Sequence, residues 1–293
     1  MCDDQVRQIR CFNRVVTQTV AALEESYLDR GRPLGEARLL FEIGRNGAEA
    51  RRLRERLGLD SGYLSRLLRS LEAQGLAQVC GAPEDRRLRR VRLTGKGLAE
   101  LGAYDRLSDR LAASILARLA AGQRARLIAA MGEVGRLLNA ASVEFASASP
   151  ASLEARACLD KYYRELAARF EDGFDPAQEG AARADDMAPP YGFFVLARLR
   201  GGAIGCGGVR RVDPTTGEIK RVWIAREMRG LNLATRLIAE LEAQARSLGL
   251  TMLRLDTNRA LTEAQALYLK LGYREAPRFN ANPYAHHWFE KRL

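Results

Sequence analysis

Residues 226–238, REMRGLNLATRLI, decide how this chain is read: a strand ending in Val222-Trp223-Ile224 runs into an Arg-Gly turn and then directly into an amphipathic helix. Leu233, Leu237, Ile238, Leu241 and Leu248 share one face of the helix predicted over 230–248. A helix start leaves its first backbone N–H groups without intrahelical partners and carries the positive end of the dipole, so such a turn cradles an anion like a pyrophosphate. Three strands precede it, YGFFVLARL (191–199), AIGCGGVRRV (203–212) and EIKRVWI (218–224). Arg200-Gly201-Gly202 and Asp213–Gly217 are good hairpin signals between them, so an antiparallel meander is expected. A strand MLRLDT (252–257), a helix over 262–271 and a last strand near HHWFEKR (286–292) follow. The expected architecture is α+β, a mixed, mostly antiparallel sheet flanked by helices.

About one strand beyond the turn, DTNRALTEAQALYLKLGYRE (256–275) sets Asn258, Tyr268, Gly272 and Tyr273 at spacings that resemble the GNAT acetyltransferases. The resemblance covers about residues 142–293 and implies acetyl-CoA as cosubstrate, with the acetyl group passing from a thioester to an amine. It also implies roles for individual residues. Backbone groups of Trp223 and Ile224 would hold the thioester carbonyl and the pantetheine arm. Met228, Arg229, Gly230, Leu231, Asn232, Leu233, Ala234 and Thr235 would line the pyrophosphate turn, and Asn258 would contact the cofactor arm or steady the strand end. Asn232 stands where the family usually has Gly; among non-glycine residues Asn tolerates a left-handed backbone best, so the turn survives. The attacking amine must be neutral, which calls for a carboxylate to take its proton. Glu218, at the start of the strand leading to the turn, occupies the family's base position; a salt-bridged glutamate is the other reading. Tyr268 matches the family's thiolate-protonating tyrosine, and a phenol with a reference pKa of about 10 suits that task. Helical periodicity also sets Tyr268 beside Ala264, Leu267 and Leu271, where a core tyrosine would sit.

The 293 residues and 47% hydrophobic content allow two ordinary domains, each with its own core. No apolar run approaches a membrane span, and the opening MCDDQVRQIR lacks the order of a secretory signal, so no membrane association and a cytoplasmic address are expected. Five scattered cysteines without a CxxC pair and two adjacent histidines point to neither a zinc site nor a disulfide framework. The net charge of +11 is uneven: residues 1–140 hold 25 Lys+Arg against 17 Asp+Glu, or +8, and residues 141–293 hold 22 against 19, or +3. Five arginines, Arg86, Arg87, Arg89, Arg90 and Arg92, crowd into one short stretch, a density that suits a phosphate-facing element.

Helical patterns closed by turn signals fill the basic half: a long helix over 5–29 ended by Gly31 and Pro33, then helices over 35–45, 48–57 and 61–75. In the last of these, Leu64, Leu67, Leu68 and Leu71 face inward, while Ser61, Gly62, Ser65, Arg66 and Arg69 stay on the open face, as in a helix-turn-helix that enters the major groove. A hairpin wing is predicted with strands near 76–80 and 88–93. The stretch 5–140 resembles the MarR family of winged-helix regulators, most specifically in PEDRRLRRVRLTGKG (83–97), with the family's Asp-x-Arg signature at Asp85 and Arg87. The resemblance implies that Arg87 reaches the minor groove and Asp85 orients its neighbours; an ordinary turn aspartate is the alternative for Asp85. It further implies a homodimer, through the first helix and helices over 95–119 and 122–138, that binds double-stranded DNA at a near-palindromic operator. Cys11, in the first helix, is read as structural.

Two domains are therefore expected, a MarR-like winged helix-turn-helix over 1–140 and a GNAT-like domain over 141–293, joined by a linker of a few residues, with EDGFDPAQEGAARADDMAPP (171–190) as a loop. The preferred function is a regulator fused to an N-acetyltransferase for a small amine, such as an amino acid. The alternatives are a regulator whose second half only senses acetyl-CoA or a ligand, and a protein-lysine acetyltransferase. Arg87→Ala is expected to weaken operator binding and leave acetyl transfer intact; unchanged DNA affinity in a titration would remove the wing assignment.

Overall fold

The computed structural model describes residues 3–20, 26–81, 89–171, 173–178 and 184–293. The chain divides into two compact units, Met1–Ala130 and Met131–Leu293. No helix among the described residues is long and apolar enough to cross a membrane.

The first unit opens with α1 (Asp3–Thr19), none of whose residues is buried; Val6, Ile9, Phe12, Val15 and Val16 all lie exposed along it. The single helix expected to run to residue 29 is not what forms. A 3-10 turn occupies Tyr27–Asp29, with Leu28 and Asp29 at φ 53° and 57°. Just beyond this turn, Arg30 and Arg32 both bind Glu100, at 2.6 Å each, and Arg32 also donates to Gln74 at 2.6 Å. Next come α2 (Leu34–Ile43), a two-residue strand β1 (Ala48–Glu49), α3 (Ala50–Leu57) and α4 (Ser61–Ala73). Asp60 caps α4, its side chain accepting from the Tyr63 N–H at 2.8 Å. Strands β2 (Ala77–Gly81) and β3 (Arg89–Leu93) form the wing, and β1 pairs with β3 to give a three-stranded antiparallel sheet in the order β1-β3-β2. The wing tip, with Asp85 and Arg87, lies outside the described residues. Leu39, Leu40, Leu53, Leu64, Leu68, Leu71, Leu76 and Val91 make the core of this unit, joined by Tyr104 from α5 (Gly95–Ala117). Thr94 caps α5 by accepting from the Gly97 N–H at 3.0 Å.

Helix α6 (Ala121–Ala141) contains the division between the units, which falls within it rather than at its end. Its last turn and the residues just after it belong to the second core: Ala140 and Val143 are buried there, and Arg236 donates to the carbonyls of both, at 2.7 and 2.9 Å.

The second unit is a seven-stranded sheet in the order β4-β5-β6-β7-β8-β10-β9. It comprises β4 (Glu144–Ser147), α7 (Leu153–Arg169), β5 (Gly192–Leu199), β6 (Gly202–Arg211), β7 (Thr216–Ile224), α8 (Leu233–Ser247), β8 (Met252–Thr257), α9 (Thr262–Lys270), β9 (Arg274–Glu275) and β10 (His287–Arg292). Every paired neighbour is antiparallel except β7 and β8, which α8 links as a parallel crossover. Leu237, Ile238 and Leu241 of α8 pack with Leu253, Leu255 and Tyr268 on one face. Cys158 and Leu159 of α7 pack with Phe194, Leu196, Cys206 and Trp223 on the other. β7 pairs with β8 only from Thr216 to Glu218, opposite Met252 to Arg254. Past that point β7 carries an irregularity against β6, where Arg221 sits at φ 59°, and the two parallel strands separate.

In the first unit, a Cβ added at Gly97 would lie 1.9 Å from the Leu76 carbonyl oxygen, which is backbone and has no room to yield. Gly97→Ala is expected to cost about 1–3 kcal/mol of stability through overpacking. Thermal unfolding of the full chain checks this, and an unmoved transition would refute the close approach.

Candidate functional site

The opening between β7 and β8 leads to the turn before α8. Gly230 (φ 76°) and Asn232 (φ 59°) both take left-handed conformations, so Asn232 accepts the backbone that the resemblance assigns to glycine. Asn232 is also the residue immediately before the helix, and the N–H groups of Leu233, Ala234 and Thr235 follow as the unpaired first turn. A cleft of about 440 Å³ lies over this turn. Trp223, Ile224, Met228, Arg229, Gly230, Asn232, Leu233, Ala234 and Thr235 border it, together with Tyr268. Leu231 does not border it; it packs instead against the core below.

A second, smaller cavity of about 70 Å³ adjoins the cleft, and Tyr162, Leu166, Val222, Leu261, Ala264 and Tyr268 are common to both. Aromatic rings cover it: Phe174 stands 4.8 Å from Tyr284 and 5.8 Å from Phe170, centroid to centroid. Asn258 borders this cavity rather than the cleft. Its amide is committed locally, donating to the Tyr284 carbonyl and accepting from the Ala260 N–H, both at 2.8 Å, so its position fits the steadying of the strand end rather than contact with the cofactor arm. Tyr268 is buried at the junction of the two spaces. Burial, and then the negative charge of Asp256, push its phenol well above the ordinary tyrosine value, so it keeps its proton.

Glu218, expected as the base or else as a salt-bridged glutamate, borders neither space, and its surroundings match the second reading. It is wholly buried, accepting from Arg210 at 2.7 Å, Lys220 at 2.8 Å and Asn280 at 3.1 Å, with Arg254 at 3.7 Å. Burial alone would raise its pKa, but the adjacent charges of Lys220 and Arg210 outweigh that and bring it down to about 2. A carboxylate so held is a poor proton acceptor near neutral pH. Lys220 also pairs with Asp256, which accepts from Asn280 at 2.9 Å and from Asn282 at 2.6 Å. Asp256 does reach the smaller cavity, where it is the one bordering carboxylate among the described residues.

Sequence reasoning missed α7 altogether as a wall. Tyr162, Glu165, Leu166 and Arg169 all border the cleft. Their i, i+3, i+4 spacing was visible, but no local signal says which sheet face a helix will cover.

In the first unit, α4 presents Ser61, Gly62, Arg66 and Arg69 exposed and Ser65 half-buried, all five on the open face that sequence patterning assigned. Tyr63, not singled out beforehand, is exposed among them, with the Arg66 guanidinium 5.5 Å from its ring centroid.

Residues 159–273 match the acetyltransferase (GNAT) family and residues 30–88 match the MarR family. An uncharacterised N-acetyltransferase of Schizosaccharomyces pombe is 34% identical over 97 residues, 32% of this chain and 60% of its own length. An IAA acetyltransferase of Azospirillum brasilense is 34% identical over 88 residues, 30% of this chain and 58% of its own. An uncharacterised HTH-type transcriptional regulator of Bacillus subtilis is 29% identical over 87 residues, 30% of this chain and 53% of its own. The chain thus spans between half and two thirds of the length of each of these relatives.

Glu218→Gln leaves Arg210, Lys220 and Arg254 facing Asp256 alone, and is expected to cost about 3–5 kcal/mol in urea unfolding, as for other broken buried ion pairs. In the wild type the folded carboxyl titrates at about 2, below its unfolded value, so its stabilisation is full above the unfolded value of about 4.3 and fades as pH falls toward about 2. Equal stability of the variant and the wild type at neutral pH would show that the charge cluster does not hold these strands.

Proposed function

Because the chain joins a MarR-family winged helix-turn-helix segment to a GNAT-family acetyltransferase segment, we propose that it is a bifunctional DNA-binding regulator and acetyl-CoA-dependent N-acetyltransferase acting on a small amine. The observation that carries the enzymatic reading is the cleft at the parting of β7 and β8, with the left-handed turn at Gly230 and Asn232 on one side and the protonated phenol of Tyr268 on the other. The turn fits a pyrophosphate: its backbone is already in the conformation that exposes N–H groups at the start of α8. Acetyl-CoA supplies an activated acyl carbonyl at such a site. The end of β7 at Trp223 and Ile224 offers backbone groups to hold it, because β8 no longer pairs with them. The acceptor amine enters the smaller cavity, where Asp256 takes its proton directly or through a water molecule as the new C–N bond forms. As the C–S bond breaks, the thiolate receives the Tyr268 proton.

The smaller cavity supports a small acceptor with apolar or aromatic character. Its cover of Phe170, Phe174 and Tyr284 and its volume of about 70 Å³ leave little room for the backbone that flanks a protein lysine. For the other half, the exposed serines and arginines of α4 suit the major groove of a near-palindromic operator, and Arg87 at the wing would reach the adjacent minor groove. The uncovered apolar residues of α1 suit a homodimer contact. A cytoplasmic address suits both proposed partners, DNA and acetyl-CoA.

The test is amine-dependent CoA release with amino acids, arylalkylamines, amino sugars and polyamines. Tyr268→Phe and Asp256→Asn are each expected to lower kcat by about 100-fold or more while acetyl-CoA still binds. Binding of acetyl-CoA without release for any amine would favour a sensor. Full activity in Asp256→Asn would remove its assignment as proton acceptor.

A further inference from the structure

Arg229 opens the proposed pyrophosphate turn, where an arginine is expected to aim its charge at phosphate; its guanidinium points elsewhere. Nε donates to the Ile224 carbonyl at 2.9 Å, and Nη2 donates to both carboxylate oxygens of Glu165, at 2.7 and 2.6 Å. The same carboxylate accepts from the Trp223 indole Nε1 at 2.8 Å. Arg169, one turn further along α7, lies 3.6 Å from it. One carboxylate on α7 therefore holds Trp223 of β7 and Arg229 of the turn, and Arg229 in turn holds the Ile224 carbonyl at the strand end. Burial would raise the Glu165 carboxyl, but the bonds from Arg229 and Trp223 outweigh it and hold the group below the usual glutamate range.

We propose that Glu165 is a positioning residue for acetyl-CoA, a latch that fixes the end of β7 and the turn after it in the cofactor-receiving geometry and keeps the Arg229 charge from the phosphates. The inference rests on the reading of the cleft as an acetyl-CoA site. Three features argue that the latch serves binding rather than general stability. Its partners are all on the cleft wall: Trp223, Arg229 and Glu165 each border it. The strand it holds keeps β6 as a partner there but no longer has β8, so one of the two ladders that fix an interior strand is missing on the side of the cleft. The charges also cancel locally, since Glu165 neutralises Arg229, which leaves the anion to the backbone N–H groups of the turn. A fixed turn binds without the ordering cost that a mobile one would incur.

The variant to compare is Glu165→Gln, which keeps the shape and one acceptor for Trp223 but loses the charged, two-pronged bond to Arg229. Acetyl-CoA binding is measured by titration calorimetry, and KM and kcat are measured where an acceptor amine is found. The expected result is a rise in Kd and in KM for acetyl-CoA of about 10-fold or more, with kcat changed less than about 3-fold. Because the chain has only two tryptophans, a Trp288→Phe background isolates Trp223, whose emission is expected to shift in Glu165→Gln before any ligand is added. Arg229→Ala combined with Glu165→Gln is expected to be no worse than the poorer single variant, as for two ends of one latch. Wild-type acetyl-CoA affinity in Glu165→Gln, or fully additive effects in the double variant, would overturn the proposal. Failure of the wild type to bind acetyl-CoA at all would instead overturn the reading of the cleft, and the latch with it.

Discussion

The parting of β7 from β8 after three residue pairs is the constraint on which the second unit depends. Parallel strands normally keep their ladder until both end, because an unpaired buried backbone group costs about as much as a lost hydrogen bond. Here the ladder stops at Glu218 while β7 continues to Ile224, and a cleft bordered by the end of β7 on one side and by Ala264, Leu267 and Tyr268 of α9 on another lies beyond. The turn into α8 sits at the mouth of that gap. A helix start and a strand edge thus meet at one place, each with hydrogen-bonding groups to offer.

Something must hold the strands up to the point where they part, and the buried charge cluster is placed to do so. Glu218 and Lys220 of β7, Arg210 of β6 and Arg254 and Asp256 of β8 interlock across three adjacent strands, with Asn280 and Asn282 closing the network from the segment before β10. A cluster of this kind is costly to bury, yet removing one member costs more than the intact set contributes. Its composition also explains why Glu218 stays ionised in the interior: Lys220 and Arg210 stand against its carboxylate and hold its proton affinity down. Asp256 is drawn into the same network at its edge, where it meets the cavity.

The first unit shows the same dependence on long-range charge. Glu100, from α5, gathers Arg30 and Arg32, and Arg32 in turn reaches Gln74 at the end of α4. Gln74 also donates to Glu36 of α2 at 2.8 Å, and Ser70 of α4 donates to the same carboxylate at 2.6 Å. The orientation of the helix with the exposed serines and arginines is therefore set by polar contacts to three other segments as well as by its leucine face.

Periodicity and turn chemistry in the chain determined a great deal. The 3.6-residue spacing of leucines in α4 and α8, the two hairpins of the meander and the turn through Gly230 and Asn232 are local properties, enforced by contacts within a few residues, and each formed where the pattern indicated. The residues of the turn before α8 came together for the same reason, being nearly contiguous; of these only Leu231 does not border the cleft. What the tertiary structure decided involves partners far apart in sequence. The segment after the first helix takes a course that no local pattern announces, and there Arg30 and Arg32 meet Glu100, about seventy residues on. Glu218 is a buried anion because Lys220, Arg210, Arg254 and Asn280 converge on it, and on α7, a wall of the cleft, Glu165 meets Trp223 and Arg229 some sixty residues away, at separations of 58 and 64. Hydrophobic period and capping are written into adjacent residues, whereas the sign and partner of a buried charge depend on which strands the fold brings side by side.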